Sequence, residues 1–253
     1  MRSLLIPTLI AAMLPAAAAA QTCPGHPGAL GTARVLAVDA ASTPRVGRKE
    51  FPETLPLGPK ELVLTFDDGP WPTTTPKVLD ALKAECVHAT FFVLGRNAQA
   101  HPALVRLEWA EGHTVGSHSF SHPLLRQMTP DKAMAEIDKG IRANEAALGG
   151  HHAAPFFRFP GFASTPALLE RLQARGLVVF GADVWASDWN AQTPEAELTL
   201  LLGRIEKVDH GIVLLHDTRA QTARMLPALL RALKERGYAI VHVVAAGAGQ
   251  AAN

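Results

Sequence analysis

The sequence predicts an α/β fold, in the form of a distorted seven-stranded β/α barrel of parallel strands with an N-terminal arm. From residue 60 onward, apolar runs alternate seven times with stretches of helical spacing, and such alternation is typical of a parallel sheet. Titratable residues also follow several of the runs, at the strand ends where the loops of such a barrel converge. An open doubly wound sheet is the alternative.

Composition favours one main domain and excludes a polyanionic partner. The chain has 253 residues, with 24 basic and 23 acidic side chains and no long run of either sign. This balance lacks the basic footprint of a nucleic-acid-binding protein. Aromatic residues make up only 6% of the chain, so few rings are available to stack on a long polymer. We expect a monomer.

The N-terminus predicts export. Arg2 precedes an apolar segment at 4–14 and a run of small residues at 16–20, which is typical of a cleaved secretory signal. We expect residues 1–20 to be removed, no membrane span, and a secreted or periplasmic protein. Because that environment is oxidising, the two cysteines, Cys23 and Cys86, predict a disulfide between arm and barrel.

The remaining boundaries follow from the pattern of prolines and apolar runs. Residues 21–60 are rich in Gly and Pro and predict an arm with one strand-like run at 34–38, optionally paired in an edge hairpin. The main domain is predicted at 61–246 and a flexible tail at 247–253. Predicted strands cover 62–66, 89–94, 114–117, 156–159, 177–182, 211–215 and 239–244. Predicted helices cover 76–85, 98–111, 130–148, 165–175, 194–208 and 222–236. Four of them open with Thr-Pro, where Thr can cap the helix and Pro fits its first turn, and some close on Gly just after a basic residue.

Two adjacent carboxylates, Asp67 and Asp68, end the first strand of the barrel. Neighbouring side chains on an extended strand point in opposite directions, so one of the two can bind a metal while the other transfers a proton. The alternative is that Asp-Asp-Gly-Pro only terminates the strand, because these residues are common in turns.

Two histidines, His118 and His122, follow the third strand and are four residues apart. Together with one carboxylate they form a three-ligand set that leaves a fourth position for water, as in catalytic zinc sites. A polar loop without metal is the alternative. We therefore expect a divalent cofactor, Zn²⁺ in the first instance.

Hydrolysis at such a site also needs a base and an acid. The aspartate that does not bind metal is the candidate base, with Arg158 to orient it. His216 is the candidate acid, with Asp188 held against its other ring nitrogen. A salt bridge at Arg158 and a helix cap at His216 are the alternatives.

Five segments carry a family resemblance that covers residues 60–244. In order, they resemble the five motifs of the polysaccharide deacetylases, which are carbohydrate esterase family 4 with the NodB homology domain. The segments are Thr-Phe-Asp-Asp-Gly-Pro at 65–70, His-Ser-Phe-Ser-His at 118–122, Arg-Phe-Pro-Gly at 158–161, Asp-Trp at 188–189 and Ile-Val-Leu-Leu-His-Asp at 212–217. The resemblance implies an acetylated glycan as substrate, such as chitin oligomers, peptidoglycan or xylan.

The resemblance also resolves the roles of the two aspartates. It implies that Asp68, His118 and His122 bind the metal and that Asp67 is the base. Arg158 would orient Asp67, and Asp188 would tune His216 as the acid.

For the substrate, the resemblance implies that Trp189 and Leu214 line a pocket for the acetyl methyl group and that the backbone N–H of Gly161 stabilises the oxyanion. Trp71, next to the first motif, is a candidate for stacking on a sugar ring. The family usually has Tyr at the position of Gly161, and the fourth motif is looser here, with Asp183 upstream of Asp188 and Trp189. Hydrolysis of a small non-sugar amide and glycan binding without catalysis are the alternative functions.

Overall fold

The computed structural model describes Cys23 and residues 26–247. The predicted signal segment at 1–20 and residues 248–253 of the predicted tail lie outside the described residues. Within the described part, no helix is long and apolar enough to cross a membrane.

The strands in the described part form one parallel sheet. All seven predicted strands match at each end within two residues, and the predicted strands 156–159 and 177–182 shorten to two and three residues. The strands are β1 Thr32–Val38, β2 Arg45–Val46, β3 Glu61–Asp67, β4 Thr90–Val93, β5 Thr114–Ser117, β6 Phe156–Phe157, β7 Val178–Phe180, β8 Val184–Trp185, β9 Gly211–His216 and β10 Ala239–Ala245.

The sheet curls into a distorted barrel. Strands β9, β3, β4, β5, β6 and β7 are neighbours in that order, and β8, three residues beyond β7, pairs with the far side of β9. Side chains from five of these strands pack together in the interior: Val63, Phe92, Phe156, Phe180 and Ile212. The predicted parallel α/β architecture is confirmed. In the described part of the chain, β7 and β8 do not pair with each other, so the sheet is open between them.

The helices surround this sheet and bury their apolar faces against its outer side. They are α1 Thr75–Ala84, α2 Gly95–Ala100, α3 Pro102–Ala110, α4 Pro130–Leu148, α5 Pro166–Ala174, α6 Pro194–Val208 and α7 Ala220–Glu235. The single helix predicted at 98–111 is wrong, because His101 leaves the helical region at φ −135° and ψ 54°. Pro102 follows it, and proline disfavours the helical conformation in the residue before it.

The four Thr-Pro segments differ in whether the threonine side chain caps its helix. Thr165 and Thr193 cap α5 and α6 by accepting hydrogen bonds from Leu168 N and Ala196 N. Thr129 makes no such bond. The expectation of capping is therefore wrong for Thr129, and it is wrong for Thr75, which lies inside α1.

The N-terminal arm is tied to the barrel at several points. Strand β1 pairs in parallel with β10, so the optional edge hairpin is wrong. A disulfide joins Cys23 to Cys86. Asp183 accepts hydrogen bonds from Arg48 N at 3.0 Å and from Ile212 N at 2.7 Å, so this residue connects the arm to β9.

Candidate active site

The two adjacent carboxylates diverge at the carboxyl end of β3. Asp67 is the last residue of the strand and is 3% exposed. Asp68 has a left-handed backbone, with φ 75°, so strand alternation is not what separates the two side chains. Its carbonyl oxygen accepts a hydrogen bond from Asn97 Nδ2 at 2.7 Å, which holds the turn in place.

Asp68 meets the two histidines of the predicted ligand set. Its Oδ1 lies 3.7 Å from His118 Nε2 and 3.5 Å from His122 Nε2. One ligand atom from each of the three residues lies within 4.8 Å of the others. Asp68 Oδ1 is buried and has no hydrogen-bond partner, although a buried polar atom is normally satisfied. The residues present therefore fit a divalent cation.

His118 is held in the orientation that such a cation needs. Its Nδ1 lies 2.8 Å from the carbonyl oxygen of Arg158, so Nδ1 carries the hydrogen and Nε2 is left to face Asp68. Burial lowers the pKa of His118 to about 3. The ring is thus neutral at physiological pH, which is the form that binds metal.

The loop that carries both histidines is braced by its neighbours. Ser119 and His122 have φ 67° and 65°, and His122 N donates to Ser119 Oγ at 3.1 Å. The first N–H groups of α2, on Gly95 and Arg96, donate to the carbonyls of Ser119 and Phe120, both at 3.0 Å.

Beneath this loop lies Gly140 of α4. A Cβ built at Gly140 would lie 2.4 Å from Ser119 C and 2.5 Å from Ser119 O. Real Cβ atoms essentially never approach a heavy atom this closely, so the histidine loop needs glycine here.

Arg158 is a fully buried cation that holds Asp67. Its Nη1 donates to Asp67 Oδ1 at 2.7 Å and to Thr65 Oγ1 at 2.8 Å. Its other nitrogens donate to the carbonyls of Phe180 and Gly181. Burial raises the pKa of Asp67, and the charge and hydrogen bond of Arg158 oppose that rise. Arg158 thus favours the carboxylate form, as a base requires.

His216 lies at the end of β9, beside β3. Its Nδ1 is 2.8 Å from Asp188 Oδ1, its backbone N donates to Asp188 Oδ2 at 2.7 Å, and its Nε2 is 3.9 Å from Asp68 Oδ2. Burial disfavours the charged imidazolium, but the hydrogen bond and charge of Asp188 outweigh it and raise the pKa of His216 to about 9. A protonated His216 can serve as an acid.

Of the predicted substrate-contacting residues, the two tryptophans are partly exposed and Leu214 is buried. Trp71 and Trp189 are each 45% exposed, and the Trp189 ring lies edge-on to His216, with centroids 6.0 Å apart. Leu214 is buried on β9. Gly161 has φ 59° and ψ 22°, a left-handed conformation that L side chains rarely adopt. Glycine in place of the family's usual Tyr therefore fits the left-handed backbone at this position.

Sequence reasoning missed the residues that support this site from behind. Asp217 accepts a hydrogen bond from the Thr75 hydroxyl, and Trp71 N donates to Thr75 Oγ1 at 2.7 Å. Asp217 also packs so closely against Gly69 that a Cβ there would meet its carboxylate. The repeated Thr-Pro pattern pointed instead to a helix cap at Thr75.

Comparisons with known proteins agree with this geometry. A sequence profile described as "Polysaccharide deacetylase" matches residues 55–180. The chain is 36% identical over 184 residues to a peptidoglycan-N-acetylglucosamine deacetylase of Listeria monocytogenes, covering 73% of this chain but 38% of that protein. It is 35% identical over 201 residues to a chitooligosaccharide deacetylase of a Bradyrhizobium strain, covering 72% and 89%.

A solved structure shows the same fold. It is a peptidoglycan deacetylase of Bdellovibrio bacteriovorus, with a TM-score of 0.77 and 33% identity. The match covers 85% of this chain and 59% of that one. The chain thus spans well under half the length of the Listeria relative and more than half of the Bdellovibrio structure.

Proposed function

Because the chain belongs to the polysaccharide deacetylase family, we propose that it is a divalent-metal-dependent hydrolase that removes N-acetyl groups from peptidoglycan or chitooligosaccharides. One observation carries the proposal: the unpartnered Asp68 Oδ1 faces His118 and His122 while Asp67, paired with Arg158, lies within 3.8 Å of the same His118. The names of the relatives support the substrate class.

Asp68, His118 and His122 would hold the cation, and Zn²⁺ suits this ligand set. When bound, such an ion lowers the pKa of water and polarises a carbonyl oxygen. Asp67 takes the proton of the attacking water, with Arg158 keeping the carboxylate ionised and fixed in direction. His216, oriented by Asp188, gives a proton to the nitrogen that leaves.

The remaining contacts concern the substrate. Trp189 and Leu214 are proposed to contact the acetyl methyl group, and the N–H of Gly161 to stabilise the oxyanion. Trp71 is exposed, with its ring edge-on to His101 at a centroid distance of 6.2 Å, and is proposed to stack on a sugar ring. The disulfide between Cys23 and Cys86 supports a secreted or periplasmic location.

The test is release of acetate by the purified chain from chitin oligomers, muropeptides, acetylated xylan and a small acetyl amide, with and without a chelator. We expect chelator-sensitive release from the first two substrates. Release from the small amide alone would favour the second candidate function, for which the absence of the usual Tyr at position 161 is the supporting observation. Glycan binding without any release would contradict catalysis.

Trp71→Ala separates the glycan from the small substrate. If the ring stacks on sugar, the variant loses binding of the glycan, seen as a raised KM for chitin oligomers. Its kinetics toward a small acetyl ester should remain unchanged. An equal loss on both substrates would contradict the stacking role.

A further inference from the structure

Behind His216 and Asp188, a single hydroxyl group lies between two carboxyl groups. Thr222 Oγ1 of α7 is 3.0 Å from Asp188 Oδ2 and 2.8 Å from Glu197 Oε1 of α6. All three side chains are completely buried. A hydroxyl has one hydrogen to donate and can otherwise only accept, while an ionised carboxylate only accepts. Both short contacts are hydrogen bonds only if one carboxyl group carries a proton.

The surroundings decide which group is protonated. Asp188 also accepts from the backbone N of His216 at 2.7 Å, and its Oδ1 faces His216 Nδ1 at 2.8 Å. Glu197 has Thr222 alone, and its second oxygen, Oε2, is buried without a partner. A negative charge is therefore stabilised on Asp188 and not on Glu197, because a buried charge needs hydrogen bonds or an opposite charge.

Electrostatics point the same way. Burial raises the pKa of Glu197 to about 7; the negative charge of Asp188 adds to the rise, while the Thr222 hydrogen bond and His216 oppose it. These polar and charged groups act on Glu197 from the end of β9, from the loop at Asp188 and from helix α7.

We propose that Glu197 is protonated at pH 6 and acts, through Thr222, as a positioning residue for the acid of the site. Neutral Glu197 donates to Thr222 Oγ1, Thr222 donates to Asp188 Oδ2, and Asp188 holds His216 by Nδ1. The sole hydroxyl hydrogen of Thr222 is thereby directed to Asp188. The positioning role rests on the proposed function of His216, whereas the protonation of Glu197 does not.

The protonation state is tested by infrared difference spectroscopy at pH 6 on the purified chain. Subtracting the spectrum of Glu197→Gln from that of the unmodified protein should reveal the carbonyl band of one protonated carboxylic acid. The matched control is Glu195→Gln, since Glu195 is an exposed acid in the same first turn of α6, and it should reveal a carboxylate band only. A carboxylate band in both difference spectra would overturn the proposal.

The positioning role is tested by steady-state kinetics with chitin oligomers. Thr222→Val removes a hydrogen bond to a charged group and should lower kcat about tenfold with KM unchanged, because Thr222 does not reach substrate. Thr222→Ser should restore kcat to within about twofold. Glu197→Gln keeps a neutral donor, so it should also remain within about twofold of the unmodified protein.

Other kinetic results would overturn the positioning role. They are full kcat in Thr222→Val, a change confined to KM, or a loss in Glu197→Gln as large as that in Thr222→Val. Thermal unfolding of each variant distinguishes a misfolded protein from a mispositioned acid. If the unmodified chain releases no acetate, the proposed function fails, and the infrared result still decides whether Glu197 is protonated.

Discussion

Two histidine-containing clusters lie at opposite ends of the strands and differ in one decisive respect. Asp68, His118 and His122 lie at the carboxyl ends. A second group, named here the lower cluster, contains His88, His113 and His242; His88 and His113 come just before β4 and β5. Its rings are as close as those of a metal site, with centroids 5.8 Å apart for His88 and His113 and 5.3 Å for His88 and His242.

The lower cluster makes its hydrogen bonds to neutral partners, although His113 Nε2 is buried without a partner. Thr114 Oγ1 donates to Val243 O at 2.7 Å and so accepts from His242 Nε2 at 2.9 Å. His113 Nδ1 accepts from Ala89 N at 3.2 Å. Among the described residues only Asp68, His118 and His122 bring three ligand atoms within 4.8 Å. Proximity of imidazoles is therefore not sufficient; a carboxylate with a free oxygen distinguishes the candidate metal site from core packing.

The largest expected difference between the two clusters concerns catalysis. Asp67→Asn removes the proposed base but no ligand, so kcat should fall about 10²- to 10⁴-fold while the bound ion is retained. His242→Gln in the lower cluster should leave kcat unchanged. Acetate release and metal content are measured together, with thermal unfolding as the check on folding. Full activity in Asp67→Asn would refute the assignment of the base.

The second largest expected effect concerns Gly140, which lies beneath the histidine loop. Gly140→Ala places a methyl group against Ser119, so the loop carrying His118 and His122 must move. We expect the affinity for Zn²⁺ to fall about 10- to 100-fold, as for other residues that orient ligands. The matched control is Gly203→Ala in α6, where nothing lies within 4 Å of the new Cβ. Calorimetric titration showing equal affinity in both variants would contradict this account of the loop.

The smallest expected effect concerns the pH dependence of stability that the lower cluster contributes. Burial lowers the pKa of His242 to about 3 and that of His113 well below its usual value, so these rings are neutral when folded and protonate after unfolding. Stability is then fully present above about pH 6.5 and is lost as the pH falls toward 3. Each such histidine contributes a slope of about 1.4 kcal/mol per pH unit in this range.

Urea unfolding at several pH values isolates this contribution. His242→Gln should have a shallower pH dependence than the unmodified protein, by about the slope of one histidine. His151→Gln, at an exposed position, should show the same dependence as the unmodified protein. If the free energy of unfolding has the same pH dependence in His242→Gln and in the unmodified protein, the inference that the lower cluster is neutral when folded is contradicted.

Local sequence signals were sufficient for the parts of the fold that depend on them. Apolar runs and Thr-Pro or Gly boundaries located the barrel strands and most helices. Motif spacing predicted that one of the two adjacent aspartates lies near His118 and His122, and the family resemblance identified it as Asp68. The break between α2 and α3 was also predictable, because His101 precedes Pro102. It was not predicted, because the residues on both sides have helical spacing.

Contacts between residues far apart in the sequence could not be predicted from such local signals. The parallel pairing of β1 with β10 joins strands some 200 residues apart in sequence. Glu197 resembles any acid in the first turn of a helix, where the macrodipole favours negative charge, and its burial against Thr222 comes only from the packing of α6 on α7. The lower cluster likewise combines three histidines from separate segments without a motif.

We propose that Asp68, His118 and His122 hold one divalent cation beside Asp67. The most direct measurement is elemental analysis of the unmodified chain, His122→Ala and His88→Ala after loading with Zn²⁺ and dialysis. We predict about one ion per chain in the unmodified protein and in His88→Ala, and a clearly substoichiometric amount in His122→Ala. No ion in the unmodified protein, or a full equivalent retained by His122→Ala, would contradict the claim.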